Sequence, residues 1–317
     1  MAAVCEFDRL FTKTVPHIFE KIFLTLDSKS YVNCFEVSRS WNDLLTSESF
    51  QRMGKSILNA DLQKDLQQAA IQGNTYAVRR IINSGIVDVN YMTERDQTPL
   101  SLAAANDHTD VVQLLLDRGA EPNMPDQYGE TPILEAANQG HKDVVLLLLD
   151  RGADPNMPNQ DGETPLHLAS HRGRKDVVQL LLDRGADTKK LMQDGNTPIH
   201  LASDGGHKDT VQLLLDRGVD PSTPSQDGTP LYFASCAGHK DVVKLLLDRG
   251  AKPNTLDEDG ETPLHVVARE GLKDIAKLLL DRGADPNMPN QDGRTPANLA
   301  AQYGFPEIVS ILKVKDN

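Results

Sequence analysis

His167 and His171 stand four residues apart in this chain of 317 residues. On a helix that spacing puts both rings on one face, where they could share a zinc ion. Zinc needs a third and a fourth ligand, and no such set accompanies the pair. His200 and His265 hold the place of His167 in related segments, yet Asp204 and Arg269 stand four residues further on. Histidine at this place is therefore a feature of a recurring segment, and it is expected to bond to local backbone. His141, His207 and His239 recur after a helix-ending glycine and read as structural in the same way. The acidic turn DEDGE at 257–261 lacks the alternating ligands and closing Glu of a calcium loop. Cys5, Cys34 and Cys236 are too few and too scattered for a disulfide frame or a zinc site. Neither a strand-borne phosphate loop nor a Gly-x-Ser-x-Gly or His-Glu-x-x-His sequence occurs. The expectation is a protein with no catalytic residue, no metal and no cofactor, whose work is binding.

The charge narrows what could be bound. The net charge is −13, and residues 1–60 contribute none of it, with 7 bases against 7 acids. The excess lies in 61–317. An acidic body repels phosphate backbones, and there is no basic patch with interleaved aromatics, so nucleic acid is not an expected partner. No apolar run approaches the length of roughly 18 residues that crosses a bilayer, so no membrane partner is expected. The opening MAAVCEFDRLFTK carries charges where a secretory signal needs its apolar core. The expected location is cytoplasmic, nuclear or both.

The elements that carry these residues repeat. Thr-Pro occurs at 98–99, 131–132, 164–165, 197–198, 229–230, 262–263 and 295–296, in steps of 33 with one of 32. The short step falls between QDGETP at 160–165 and QDGTP at 226–230, which lacks one residue after the glycine. A deletion is tolerated best at a loop tip. Within 161–190, Asp161-Gly162 supplies a turn, Thr164 an N-cap and Pro165 the first helical residue, whose missing N–H costs nothing there. Leu166, Leu168 and Ala169 lie on a short helix ended by Gly173 as a left-handed residue. A second helix starts near Asp176, buries Val177, Val178, Leu180, Leu181 and Leu182, and stops at Gly185. Each unit is thus helix, turn, helix and a projecting hairpin loop. One unit has too little core to stand alone, and stacking buries each unit against the next.

The period of 33 and the phrase DGETPLHLA at 161–169 resemble the ankyrin repeat. The resemblance runs over about 64–312 and implies an all-α solenoid of about eight repeats, built to bind a protein on its concave face. Residues 64–92 keep Ala69, Ala70, Gly73, Val78, Ile81, Ile82 and Gly85 in register without Thr-Pro and read as a degenerate first repeat. Full repeats occupy 93–292, and 293–317 read as a capping repeat.

Residues 12–57 read as a small helical module between a tail at 1–11 and a linker at 58–63. Ile18, Ile22, Phe23 and Leu26 recur at helical spacing, followed by Cys34, Val37, Trp41 and Leu44. The order Pro16, Ile22-Phe23, Leu26-Asp27, Val37-Ser38-Arg39 and Trp41 resembles the F-box, with Val15 and Tyr31 where that family usually has leucine. The resemblance implies docking onto a Skp-type adaptor of a cullin–RING ubiquitin ligase, through Val15, Pro16, Ile18, Ile22, Phe23, Leu26, Val37 and Trp41.

In an array with a nearly invariant framework, selectivity comes from the positions that vary. The two residues before the glycine that ends each first helix vary most, and in ankyrin-like arrays they repeat along the concave face. From these pairs Asn106, Asn138, Gln139, His171, Arg172, Asp204, Arg269, Glu270 and Tyr303, with Tyr128 at a loop tip, are the expected target contacts. The resemblances together imply a substrate-recognition subunit of a Skp–cullin–F-box ligase that does no chemistry itself. The alternative is a scaffold or inhibitor whose N-terminal helices only cap the array.

Overall fold

The computed structural model describes residues 48–93 and 95–313, with side chains from Asn59 onward. It is all-helical over that range: 16 α-helices and no strand among the described residues. They come in pairs. The first pair is α1 (Glu48–Ile71) and α2 (Thr75–Ile82). Then follow α3 (Pro99–Ala105) and α4 (Thr109–Asp117), α5 (Pro132–Gln139) and α6 (Lys142–Asp150), α7 (Pro165–His171) and α8 (Lys175–Asp183), and α9 (Pro198–Asp204) and α10 (Lys208–Asp216). The last three pairs are α11 (Pro230–Cys236) and α12 (Lys240–Asp248), α13 (Pro263–Arg269) and α14 (Lys273–Asp281), and α15 (Pro296–Gln302) and α16 (Pro306–Lys313). The odd-numbered helices form an inner row and the even-numbered an outer row. Inner helices approach one another more closely than outer helices do, so the array curves with the inner row on its concave side.

Local chemistry sets each boundary. Every inner helix from α3 on has extended Thr at its N-cap and Pro in its first turn. In three units the cap is completed by histidine. Thr164 N–H donates to His167 Nδ1 at 3.2 Å, and His200 and His265 accept from Thr197 and Thr262 at 3.1 and 3.0 Å. Nε2 of the same rings then donates to the backbone carbonyls of Asn196, Thr223 and Arg294 at 3.3, 3.0 and 3.1 Å. That fixes the neutral tautomer protonated on Nε2. Gly173 ends α7 at φ +64°, as the sequence implies. Asp107 takes the equivalent place after α3 with φ 61°, the left-handed conformation that Asp tolerates better than most residues.

Three ladders join the units, each beyond the reach of a sequence window. His108, His141, His207 and His239 precede outer helices, and their Nε2 bonds to the carbonyls of Ile71, Ala105, His171 and Asp204 in the preceding inner helix, at 2.8–3.2 Å. Asn123 Nδ2 donates to the Gly152 carbonyl and its Oδ1 accepts from Asp154 N–H; Asn90, Asn156 and Asn254 do the same one unit on. Arg151, Arg184, Arg217, Arg249 and Arg282 reach back to Asp117, Asp150, Asp183, Asp216 and Asp248 at 2.6–3.0 Å. This last ladder is solvent-exposed and contributes little beyond register. Stability rests on one continuous apolar core from Leu66 to Leu312, to which each unit adds the buried faces of two helices.

The ends depart from the repeat. Asn74 Oδ1 caps α2 by accepting from Ala77 N–H at 3.0 Å. The segment 58–63, expected to be a linker, lies inside α1, which runs from Glu48 to Ile71. No Gly or Pro follows Gly54 in that stretch to stop the helix, and its last turns supply buried Leu66, Ala69 and Ala70 to the first repeat. The module expected over 12–57, with Val15, Pro16, Ile18, Ile22, Phe23, Leu26, Val37 and Trp41, lies outside the described residues but for its last part, which is the start of α1.

Candidate target-binding face

The concave side is built from the inner helices and the loops, or fingers, that precede them. Each finger is a tight turn: Asn159 N–H donates to the Glu163 carbonyl at 2.9 Å, and Asn159 Oδ1 accepts from Asp161 and Glu163 N–H. Glutamines tie finger to finger. Gln160 N–H donates to the Tyr128 carbonyl at 3.1 Å and its Nε2 to the Gln127 carbonyl at 2.8 Å; Gln193 and Gln291 repeat the pattern on Asp161 and Gln160, and on Asp259 and Glu258.

The expected contact residues fall in one row at the ends of the inner helices. Gln139, His171, Asp204, Glu270 and Tyr303 are exposed there, and Tyr128 stands exposed at its fingertip. Others are already engaged. Asn106 Nδ2 donates to the Leu102 carbonyl at 2.8 Å, and Arg172 Nε donates to Asn138 Oδ1 at 3.0 Å across two units. Arg269, half-buried, donates to Glu261 Oε2 at 2.7 Å and lies 3.7 Å from Glu270. The zinc spacing dissolves in the structure: His167 is fully buried in its capping box, whereas His171 is exposed at the helix end.

Two groups were not singled out from the sequence. Glu130 and Glu135 lie half-buried at the start of α5, the third inner helix, where burial raises both carboxyls above the usual range. In α11 the phrase PLHLA becomes PLYFA, so Tyr232 stands where neighbours have His, and Phe233 where they have Leu or Val. Phe233 meets the His200 ring edge-on, centroids 5.6 Å apart. The Tyr232 hydroxyl lies close enough to Asp257 and Arg269 to interact with both. The departure from the repeat phrase was the signal for this pair.

Burial sets the titration of the framework. It pushes His167 and His200 down to about 4 and holds His265 below its ordinary value, because an imidazolium there would lose its water. These rings stay neutral, as two donors on Nδ1 require. Desolvation by its neighbours also pushes the thiol of Cys236, an exposed residue, up to about 11, which keeps it protonated near neutral pH. The face thus offers hydrogen bonds, charges and aromatic surface, the means of recognising another protein.

Comparison with known proteins agrees. The family model for ankyrin repeats, written for three copies, matches in overlapping stretches at 66–159, 119–192, 151–225, 185–257 and 231–317. The crystal structure of the human ASB11 ankyrin repeat domain superposes with a TM-score of 0.63 at 31% identity, covering 68% of this chain and 98% of that one. Cortactin-binding protein 2 of Rattus norvegicus is 42% identical over 64 residues, 20% of this chain and 4% of its own length. The same protein of Plecturocebus moloch is 45% identical over 58 residues, 18% of this chain and 4% of its own length.

Proposed function

This chain belongs to the ankyrin-repeat family, and from that premise we propose that it is the target-recognition subunit of a Skp–cullin–F-box ubiquitin ligase. The observation that carries the reading is the division of the array into an invariant framework and a varied face. Framework residues are spent on caps and ladders. The exposed residues at the ends of the inner helices differ from unit to unit and are presented in one row, as selective recognition of one protein surface requires. The second handle is the F-box-like order of Pro16, Ile22, Phe23, Leu26, Val37 and Trp41 in the sequence. A chain with both would perform no chemistry. It would hold a target lysine near the charged ubiquitin carrier and so raise its effective concentration. Such work belongs in the cytoplasm or the nucleus. The test is co-purification of the full chain with a Skp-type adaptor, beside a chain lacking 1–47 that keeps α1 whole. Capture by the full chain and loss in the deletion support the proposal; equal capture, or none by either, refutes it.

A second reading draws on α1. Its 24 residues reach well beyond an ordinary inner helix and extend ahead of the turns that supply the core of the first unit. An array capped in this way would serve as a binding scaffold or inhibitor. Absence of adaptor capture together with aggregation of the fragment 61–317, which lacks the first half of α1, would favour it.

A further inference from the structure

One unit of the array departs from the others at several independent places. Its finger, Ser225–Gly228, is the one shortened by a residue, and it closes as Ser225 N–H donating to the Gly228 carbonyl at 2.8 Å. Gly228 has φ +126°, and a Cβ there would lie 3.0 Å from the Tyr232 ring, so the deletion seats the finger directly on that ring. The glutamine link between fingertips is absent on both sides of this finger: among the described residues, Gln226 makes neither the bond to its predecessor nor receives one from the unit after. Neighbouring fingers carry Leu191 and Leu256 where others have Pro125, Pro158, Pro224 and Pro289, and both leucines are exposed. Tyr232 and Phe233 replace the capping His and the aliphatic residue. A framework this uniform gains nothing for its own stability from these changes, since they give up a capping box and two fingertip links.

The charge beside the aromatic pair has one sign. The next finger reads TLDEDGE at 255–261, four acids and no base. Exposed Asp204 lies on the other side, near enough for its charge and that of Asp257 to be felt at Cys236. The cation of the patch, Arg269, is already paired with Glu261 at 2.7 Å and flanked by Glu270 at 3.7 Å. By contrast, the outer segment at 174–187 holds three bases and three acids in balance. An acidic surface with an aromatic face attracts a cation by charge and by the ring quadrupole together.

Resting on the reading of the array as a target-binding face, we propose that its specificity centre is the patch around Tyr232 and Phe233. Its occupant is a segment of the target protein that presents a lysine or arginine beside an aliphatic side chain. The cation sits by Tyr232 and the 255–261 finger, and the aliphatic neighbour lies on the leucine-bearing fingers. Complementary charge makes the association weaken as salt rises.

The experiment is selection of a random peptide library on the full chain, followed by affinity measurements of the selected peptides on the wild type, Tyr232→His and Tyr76→Ala. Tyr232→His restores the array's own residue and so keeps the fold; Tyr76→Ala removes an exposed ring from the outer helix α2, away from the concave face. Selected peptides rich in Lys or Arg, weakened about tenfold or more by Tyr232→His and unchanged by Tyr76→Ala, are the expected result. Selection of acidic or uncharged peptides overturns the proposed chemistry, and equal binding to Tyr232→His overturns the proposed place; either outcome leaves the array a binding face. A library that yields nothing above a blank support overturns both this proposal and the reading beneath it.

Discussion

The capping-box histidines make the stability of the array depend on pH in a calculable way. His167 and His200 titrate near 4 in the folded chain because burial disfavours their charged form. Unfolded, each has the ordinary value near 6.5. Between these limits the unfolded chain binds protons that the folded chain does not, so stability falls as pH falls through this window and is fully present above about 6.5. The full effect of such a difference is about 3 kcal/mol per ring, and at about pH 5 roughly 2 kcal/mol of it is lost. Two rings give about 4 kcal/mol, or about 2 M in urea midpoint for a slope of roughly 2 kcal/mol/M. The control is written in the chain: the last unit uses Asn298 in place of His, with Thr295 N–H donating to Asn298 Oδ1 at 3.0 Å. His167→Asn with His200→Asn keeps the cap and removes the titration. Urea unfolding followed by circular dichroism at about pH 7.5 and pH 5 should show the wild type losing about 2 M more in midpoint than the double variant. Equal losses would refute the buried-neutral assignment of these rings.

Other predictions follow from single contacts. Gly173→Ala adds a Cβ 2.4 Å from His207 Nδ1 on a backbone at φ +64°, whereas Gly185→Ala at φ +84° meets open space. The first should cost about 2–3 kcal/mol and the second about 1 kcal/mol, read as urea midpoints. Asn156→Ala removes two bonds between units, to Gly185 at 3.3 Å and from Asp187 at 2.7 Å, and should cost about 1–2 kcal/mol. Lys189 stands in the asparagine ladder's place in the next unit, so Lys189→Asn should add a rung to the ladder and raise the melting temperature, by about 1 kcal/mol in stability. Cys236, pushed up to about 11, should be alkylated at about pH 8 roughly a hundredfold more slowly than a free thiol, measured peptide by peptide by mass spectrometry. Alkylation at the free-thiol rate would contradict the raised thiol pKa.

Much of the fold was legible because its punctuation is local. Thr-Pro marks the start of an inner helix by cap and fixed φ, and Gly marks the end by its left-handed conformation, all within a few residues. The missing residue near Gly228 falls at a finger, as a deletion in a repeat should. The ladders were not legible. His207 bonds to a carbonyl 36 residues earlier, Asn156 to groups 29 and 31 residues later, and Arg217 to an acid 34 residues earlier. A sequence names these residues as repeated but does not say across which joint they act. For the same reason Arg172, Asn138 and Arg269 read as free contacts, although the structure gives each a partner. The linker at 58–63 was expected from the change of pattern, yet a change of pattern without Gly or Pro does not stop a helix. Tyr232 and Phe233 were in plain sight as PLYFA, and their weight became apparent once the shortened finger was seen to rest on the ring.

The central claim is that two separate parts of one chain grip two different proteins. Hydrogen exchange on the full chain, with and without a Skp-type adaptor, tests it most directly. The account predicts slowed exchange confined to residues 12–57 and unchanged exchange along the inner helices from Pro99 to Gln302. Slowing along those inner helices, or no slowing anywhere, would contradict it.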